Sequence, residues 1–425
     1  MNTRSVRIHR RHVPRNAARL LASLAGIALA PLASAGGFSI QAQGTQALGS
    51  AFSGVASLDD ASTVWFNPAS MGGLDKGSLV AAASLIDTGF SFHNGGSTGA
   101  YALPTSFDDD GGGFHVVPQL YAAIPMDDRL RLGFAANLPF GLATEYDAGW
   151  RGQFVALKSQ ARAINLNPAV AWRIGERTWI GGGVNWQRFS AQLSNYAGPA
   201  AGTVVLKAHD ASWGFNLGAW TELANGAKLG LSYRSRISYA LNGDVRFSLA
   251  SALNGGANAS LSTPESASVN VAVPVTPAFE LMANVVWTKW SRLDELRIVR
   301  TTATPLTPVG AVLNVLPFEW RNSWLAALGA AWRPSGSWEL RFGVASDPRV
   351  AEDVHRTPRL PDQSRILITA GAGYRWGNSA VDAAYGHEFV KDARVGNTVA
   401  GVPGALVGTF RNRADVLSLQ YSLRF

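Results

Sequence analysis

The chain of 425 residues carries 37 Lys+Arg against 29 Asp+Glu, a formal charge of +8, with 47% apolar residues, 45 Gly, 14 Trp and no Cys. The absence of Cys excludes disulfide scaffolds, thiolate zinc sites and cysteine nucleophiles. Only 16% of residues are charged, below the roughly 25% of soluble domains, and the length suits two or three ordinary domains or one large β architecture.

Residues 1–35 hold Arg4, Arg7, Arg10, Arg11, Arg15 and Arg19 but no Asp or Glu, then an apolar run from Leu20 to Leu32 and Ala33-Ser34-Ala35. A basic start, a short apolar stretch and an A-x-A site describe a secretory signal peptide. The run is shorter than the ~20 residues that a membrane-spanning helix needs. Cleavage after Ala35 removes six of the eight net positive charges. The basicity therefore belongs to export, and the remaining chain has no Lys/Arg cluster of the kind that marks a nucleic-acid partner. No later apolar stretch is long enough for a transmembrane helix, which leaves a soluble exported protein or a transmembrane barrel.

Residues 36–76 do not alternate. They are rich in small residues, with a helix expected around Ala47–Ala56 and then Asn67-Pro68-Ala69. Low charge combined with Phe, Trp and Leu argues against a solvated tail and for a hatch that plugs a lumen. From residue 77 onward the period becomes two. Trp324, Ala326, Leu328, Ala330 and Trp332 share one face. The two Trp lie about 26 Å apart at ~3.3 Å per residue, close to the ~25 Å apolar band between aromatic girdles. At the C-terminus, Leu417, Leu419, Tyr421, Leu423 and Phe425 alternate with Ser418, Gln420, Ser422 and Arg424.

Tight turns are expected at Pro125–Asp128, Ile174–Glu176, Ala224–Gly226, Pro274–Pro277, Pro334–Gly336 and Gly377–Asn378, each with the Gly, Pro, Asn or Asp that turns use. Between them lie longer segments at His93–Gly113, Asp147–Leu157, Leu193–Lys207, Leu249–Pro264, Thr301–Pro317, Pro348–Ser364 and Lys391–Thr409. Short turns alternating with long loops are the mark of an outer-membrane barrel. The expected fold is all-β: a 14-stranded antiparallel transmembrane β-barrel over residues 77–425 with an N-terminal hatch of small helices in its lumen, placed in the outer membrane of a Gram-negative bacterium. The terminal Phe425 fits the C-terminal signature of such barrels, which makes the barrel-assembly machinery and outer-membrane lipid the expected partners of a monomer.

Other chemistry is weakly represented. Gly95-Gly96-Ser97-Thr98-Gly99 fits the G-x-S-x-G pattern of an esterase or phospholipase, but that motif needs a strand-to-helix elbow and this copy sits in a loose Gly/Ser loop. His93, His115, His209, His355 and His387 form no H-E-x-x-H pattern, and no P-loop occurs. Asp108-Asp109-Asp110 reads either as a Ca²⁺ loop or as a solvated acidic loop. A general diffusion porin is the remaining alternative, and the hatch argues against it. No cofactor or metal is expected.

Several motifs resemble the FadL/TodX family of outer-membrane transporters for long-chain fatty acids and other hydrophobic compounds. They are Gly36-Gly37-Phe38, Leu48-Gly49-Ser50-Ala51-Phe52-Ser53-Gly54, Asp59 through Ala69 with its Asn-Pro-Ala, Pro139 through Tyr146, Trp287-Thr288-Lys289-Trp290-Ser291 and Leu360-Pro361-Asp362-Gln363-Ser364-Arg365. The resemblance implies a 14-stranded barrel with a hatch and passive uptake. Substrate would settle in an outer groove, move to a pocket beside the hatch N-terminus, and leave sideways through a kink in the third strand. That strand is expected over Arg129–Tyr146, with the opening at Pro139, Phe140, Gly141, Leu142 and Ala143, where Pro and Gly weaken a ladder. Phe38 matches the apolar residue beside the pocket, and Asn67, Pro68 and Ala69 match the hatch motif. A carboxylate cargo needs a cation, and Arg162, Arg188 and Arg234 are the candidates expected by alternation to face the lumen. Fatty acids and aromatic hydrocarbons both remain open as cargo.

Overall fold

A computed structural model describes residues 36–425; the expected signal peptide lies outside the described residues. Nineteen strands form one sheet. In chain order they are β1 (Ser78–Asn94), β2 (Gly113–Pro125), β3 (Leu130–Glu145), β4 (Lys158–Arg173), β5 (Thr178–Tyr196), β6 (Thr203–Glu222), β7 (Lys228–Arg234), β8 (Ile237–Phe247), β9 (Gly255–Thr263) and β10 (Ser266–Thr276). There follow β11 (Phe279–Thr288), β12 (Glu295–Arg300), β13 (Val312–Pro317), β14 (Ser323–Trp332), β15 (Trp338–Asp347), β16 (Arg365–Trp376), β17 (Ser379–Val390), β18 (Ala393–Asn397) and β19 (Leu406–Arg424).

Fourteen of these make a closed antiparallel ring: β1 to β7, β10, β11, β14 to β17 and β19. The seam joins β1 to β19 along the whole of β1, from Ser78↔Arg424 to Asn94↔Gly408. Closure pairs the first strand with the last, so the ring has no terminal edge strand. Alternation sets the two faces: Trp324, Leu328 and Trp332 are exposed outward, while Leu325, Ala327 and Ala331 between them are buried.

The outer ends of three strands differ from the sequence expectation. The strand expected to run on toward Leu249 leaves the ring at Arg234, and β8 and β9 form a hairpin that pairs with the upper part of β6. Similarly, β12 and β13 form a hairpin against β9, and β18 pairs with β19. Segments 249–264, 301–317 and 391–409 therefore contain strand, and most of 193–207 belongs to β5 and β6. A period of two continues past the membrane, so it cannot mark where a strand leaves the ring.

The segment before β1 packs inside the ring. The helix expected over Ala47–Ala56 is broken: it covers Thr45–Gly49, then Ala51 and Phe52 take φ of 50° and 66°, and a 3₁₀ turn follows at Ser53–Ala56. The reversal presses Gly49 and Ser50 onto the wall, and the wall answers with glycine. A Cβ on Gly371 would lie 2.9 Å from Gly49 Cα, and one on Gly181 would lie 2.6 Å from Ala69 N. Hydrogen bonds spread the attachment around the ring: Thr45 Oγ1 with Ser418 Oγ (2.6 Å), Thr369 Oγ1 to Gly49 O (3.1 Å), Asn284 Nδ2 to Phe52 O (3.0 Å) and Trp220 Nε1 to Ala56 O (2.9 Å).

Two adjacent carboxylates tie the segment to β19, Asp59 through Arg424 and Asp60 through Gln420. Asp59 pairs with Arg424 at 2.7 Å and with Arg375. Burial pushes its carboxyl up, but Arg375, Arg424 and Arg341 outweigh that and hold it down at about 2. Burial instead dominates at Asp60, raising it to about 6 although it accepts from Ser62.

Candidate functional site

The third ring strand is interrupted as its composition requires. β3 pairs with β2 only from Arg131↔Pro125 to Ala136↔Leu120. Beyond that point residues 113–119 of β2 continue on β1 but have no ladder partner on β3 among the described residues. On its other side β3 shifts register against β4 between Asn137 and Phe140. Pro139 supplies the cause, since it has no N–H to donate and keeps only a carbonyl.

The N-terminal segment takes the vacated edge. Ile40 N donates to Pro139 O at 2.9 Å and Gly141 N donates to Phe38 O at 2.9 Å. Ser39 bridges Phe140 in antiparallel sense, and Gln43 Nε2 reaches Leu138 O at 2.7 Å. Residues 38–40 thus act as a short added strand beside the interruption.

Phe38 anchors that added strand. Its ring is surrounded by Trp290, Phe140, Trp320 and Phe189, with centroids 5.4, 5.6, 5.9 and 6.2 Å away. Five separate stretches of the chain meet here. On the outer side of this ring cluster lies an apolar cavity of about 80 Å³, bordered by Phe38, Leu142, Phe189, Leu241, Trp320 and Leu360. The loop 348–364 lies over it, held to the top of β3 by Thr144 Oγ1 to Arg359 O (3.1 Å) and by Tyr146 Oη to Pro358 O (2.8 Å).

Arg359 lines this cavity and is buried. Its guanidinium donates to Ser159 Oγ (3.1 Å), Ser194 O (3.3 Å) and Asn195 Oδ1 (3.3 Å), and no carboxylate pairs with it among the described residues. Burial pushes its pKa down to about 10. Its neighbours are neutralised: Arg356 in the same loop meets Asp353 at 2.8 Å, and Arg365 at the start of β16 meets Asp362 at 3.1 Å. Nothing in the local sequence separates Arg359 from those two, which is why it escaped the candidates above.

Of the candidate cations, only Arg234 faces inward. Its Nη1 donates to Asn185 Oδ1 and its Nη2 to Trp65 O, both at 2.6 Å. Arg162 and Arg188 require correction. Buried Ala161 and Ala163 flank Arg162, and buried Gln187 and Phe189 flank Arg188, so both arginines lie on the outer face. The error has a physical source: above the apolar band an outward residue is polar too, and polarity no longer distinguishes the faces.

The remaining motif residues are placed as follows. Asn67 accepts from Ala69 N and donates to Ala219 O, so the Asn-Pro-Ala turn is bound to β6. Pro68 borders a deeper cavity together with Pro139 and Phe140, and Ala143 is buried. The Ser97 hydroxyl is held by Val407, donating to its O and accepting from its N at 3.0 Å each. The acidic run is occupied by protein donors: Asp108 pairs with Arg151 at 3.0 Å, Asp109 accepts from Asp147 N, and Asp110 accepts from Phe90 N and Gly112 N. No cluster of metal-ligating side chains occurs among the described residues.

Comparison with known proteins agrees with this geometry. Residues 26–425 match the family model for outer membrane protein transport protein (OMPP1/FadL/TodX). The long-chain fatty acid transport protein of Escherichia coli O6:H1 is 26% identical, over 83% of this chain and 86% of that protein. Among solved structures, a FadL homologue from Pseudomonas aeruginosa superposes with a TM-score of 0.82 at 23% identity, covering 92% of this chain and 100% of the other. The toluene transporter TodX of Pseudomonas putida gives 0.68 at 15% identity, covering 94% and 100%. At those identities the two structures speak to fold alone.

Proposed function

The chain belongs to the OMPP1/FadL/TodX family of outer membrane transport proteins, and from that premise we propose that it admits long-chain fatty acids or similar hydrophobic molecules passively and releases them sideways between β2 and β3. Residues 36–76 serve as the hatch in this reading. The interrupted ladder at Ala136↔Leu120 carries the proposal. The β2–β3 joint, interrupted beyond Ala136↔Leu120, lies beside the apolar cavity that Phe38 and Leu142 border. Lateral exit suits an apolar cargo, because each CH₂ kept out of water is worth ~0.8 kcal/mol.

Arg359 favours a carboxylate cargo. A buried guanidinium without a counter-charge is costly, and a fatty-acid head group in the apolar cavity would supply that charge. Aromatic hydrocarbons form a second reading, supported by the aromatic walls around Phe38 and by the small volume of about 80 Å³. Two variants test these points in cells lacking their own transporter. Gly141→Arg fills the joint and is expected to abolish oleate uptake; wild-type uptake would remove lateral release. Arg359→Met is expected to weaken oleate binding while leaving toluene unaffected, and equal binding of oleate by both proteins would leave the aromatic reading in its place.

A further inference from the structure

The deeper cavity, of about 120 Å³, is walled by two chemistries. Ile40, Phe52, Val286 and Leu325 make one side apolar, and Arg234 stands on the other with Ser232, Ser266 and Ser268. Arg234 is part-buried and has no ion pair with a carboxylate among the described residues. Its guanidinium lies over the Trp65 ring, with Cζ 3.5 Å from the ring centroid. Stacking fixes the guanidinium plane, and of its five N–H donors the bonds to Asn185 and Trp65 use two. The rest remain in that plane, the geometry that suits a carboxylate.

A lone cation, nearby hydroxyls and an opposing apolar wall together describe a site for an anionic amphiphile. We propose that this cavity is a second cargo site, in which Arg234 holds the carboxylate of a long-chain acid while the first part of its chain lies along Ile40, Phe52 and Leu325. The proposal rests on the carboxylate reading above and adds to it a station that is separate from Arg359. Pro139 and Phe140 border this cavity as they border the interrupted joint. A molecule held here has passed the Phe38 ring cluster and sits beside the exit. The volume admits a head group and a few methylenes, so the rest of the chain must extend out of the cavity, toward that joint.

Native mass spectrometry of the purified protein with laurate tests this. The wild type is expected to bind two laurates, Arg234→Gln one, and Arg234→Lys two with the second weakened roughly tenfold. Retention of the folded state is read from heat-modifiable gel migration. A diazirine-bearing laurate should cross-link to Phe52 or Leu325 in the wild type, which decides the matter if Arg234→Gln fails to fold. Two laurates bound equally tightly by Arg234→Gln would overturn the site, as would the absence of that cross-link. One laurate in the wild type, lost in Arg359→Met, would remove the Arg234 station and leave the cargo reading standing. No laurate in the wild type would remove both.

Discussion

Phe38→Ala is expected to release the N-terminal segment from β3 while leaving the ring intact. Residues 38–40 are held there by two backbone hydrogen bonds of 2.9 Å and by the Phe38 ring. The two bonds are worth together about 1–3 kcal/mol. Ordering three residues costs about 3–6 kcal/mol in backbone entropy. The bonds alone therefore do not hold the segment. The ring is 5% exposed and lies among four aromatic neighbours, and its truncation should cost about 3–5 kcal/mol. With the ring the balance is marginally favourable; without it the segment detaches. Hydrogen exchange read at the Ile40 and Gly141 amides should lose roughly 100-fold or more in protection, since every 1.4 kcal/mol is tenfold. Amides of β14 to β16 should not change. Protection at Ile40 and Gly141 within tenfold of wild type would refute the claim that one side chain decides the state of this segment.

Two further changes probe the seat of the same segment. A Cβ on Gly343 would overlap the backbone of Ser50, so Gly343→Val, an overpacking of about 1–3 kcal/mol, should lift the segment and raise single-channel conductance in planar bilayers; wild-type conductance would contradict the docking described. Asp60, raised by burial to about 6 from 3.8, stabilises the docked segment most below pH 4, and that contribution is lost as pH rises through 6, by roughly 3 kcal/mol at most. Asp60→Asn should abolish this dependence, measured as protease release of the segment between pH 4 and 7. A slope that persists in the variant would place its origin elsewhere. Asp59 does not interfere, because with its carboxyl held at about 2 its contribution is lost only as pH falls from 4 toward 2.

The ring was legible in the sequence because a lipid-facing wall obliges every second residue to be apolar and every connection to sit at one of two ends. Trp324, Leu328 and Trp332 could not have served a soluble core and point outward as alternation demands. The same rule failed for Arg162 and Arg188 and for the hairpins β8–β9 and β12–β13, where the outward face is polar too while the inward face stays buried. There a period of two still reports a strand but no longer reports a face.

The site was legible only in part, for a different reason. Phe38, Phe140 and Trp290 each stood out within a motif, but their meeting depends on β3 losing a partner at Pro139 and on residues 38–40 taking its place. Pro139 in a strand predicts a vacancy without saying what fills it. The occupant is decided by the ring cluster, whose other two members, Phe189 and Trp320, belong to no motif noted in the sequence. The cations follow the same logic. Arg356, Arg359 and Arg365 share one loop and its border, and only the folded positions of Asp353 and Asp362 leave Arg359 without a carboxylate. Charge type is written locally, whereas charge compensation is a property of the closed lumen.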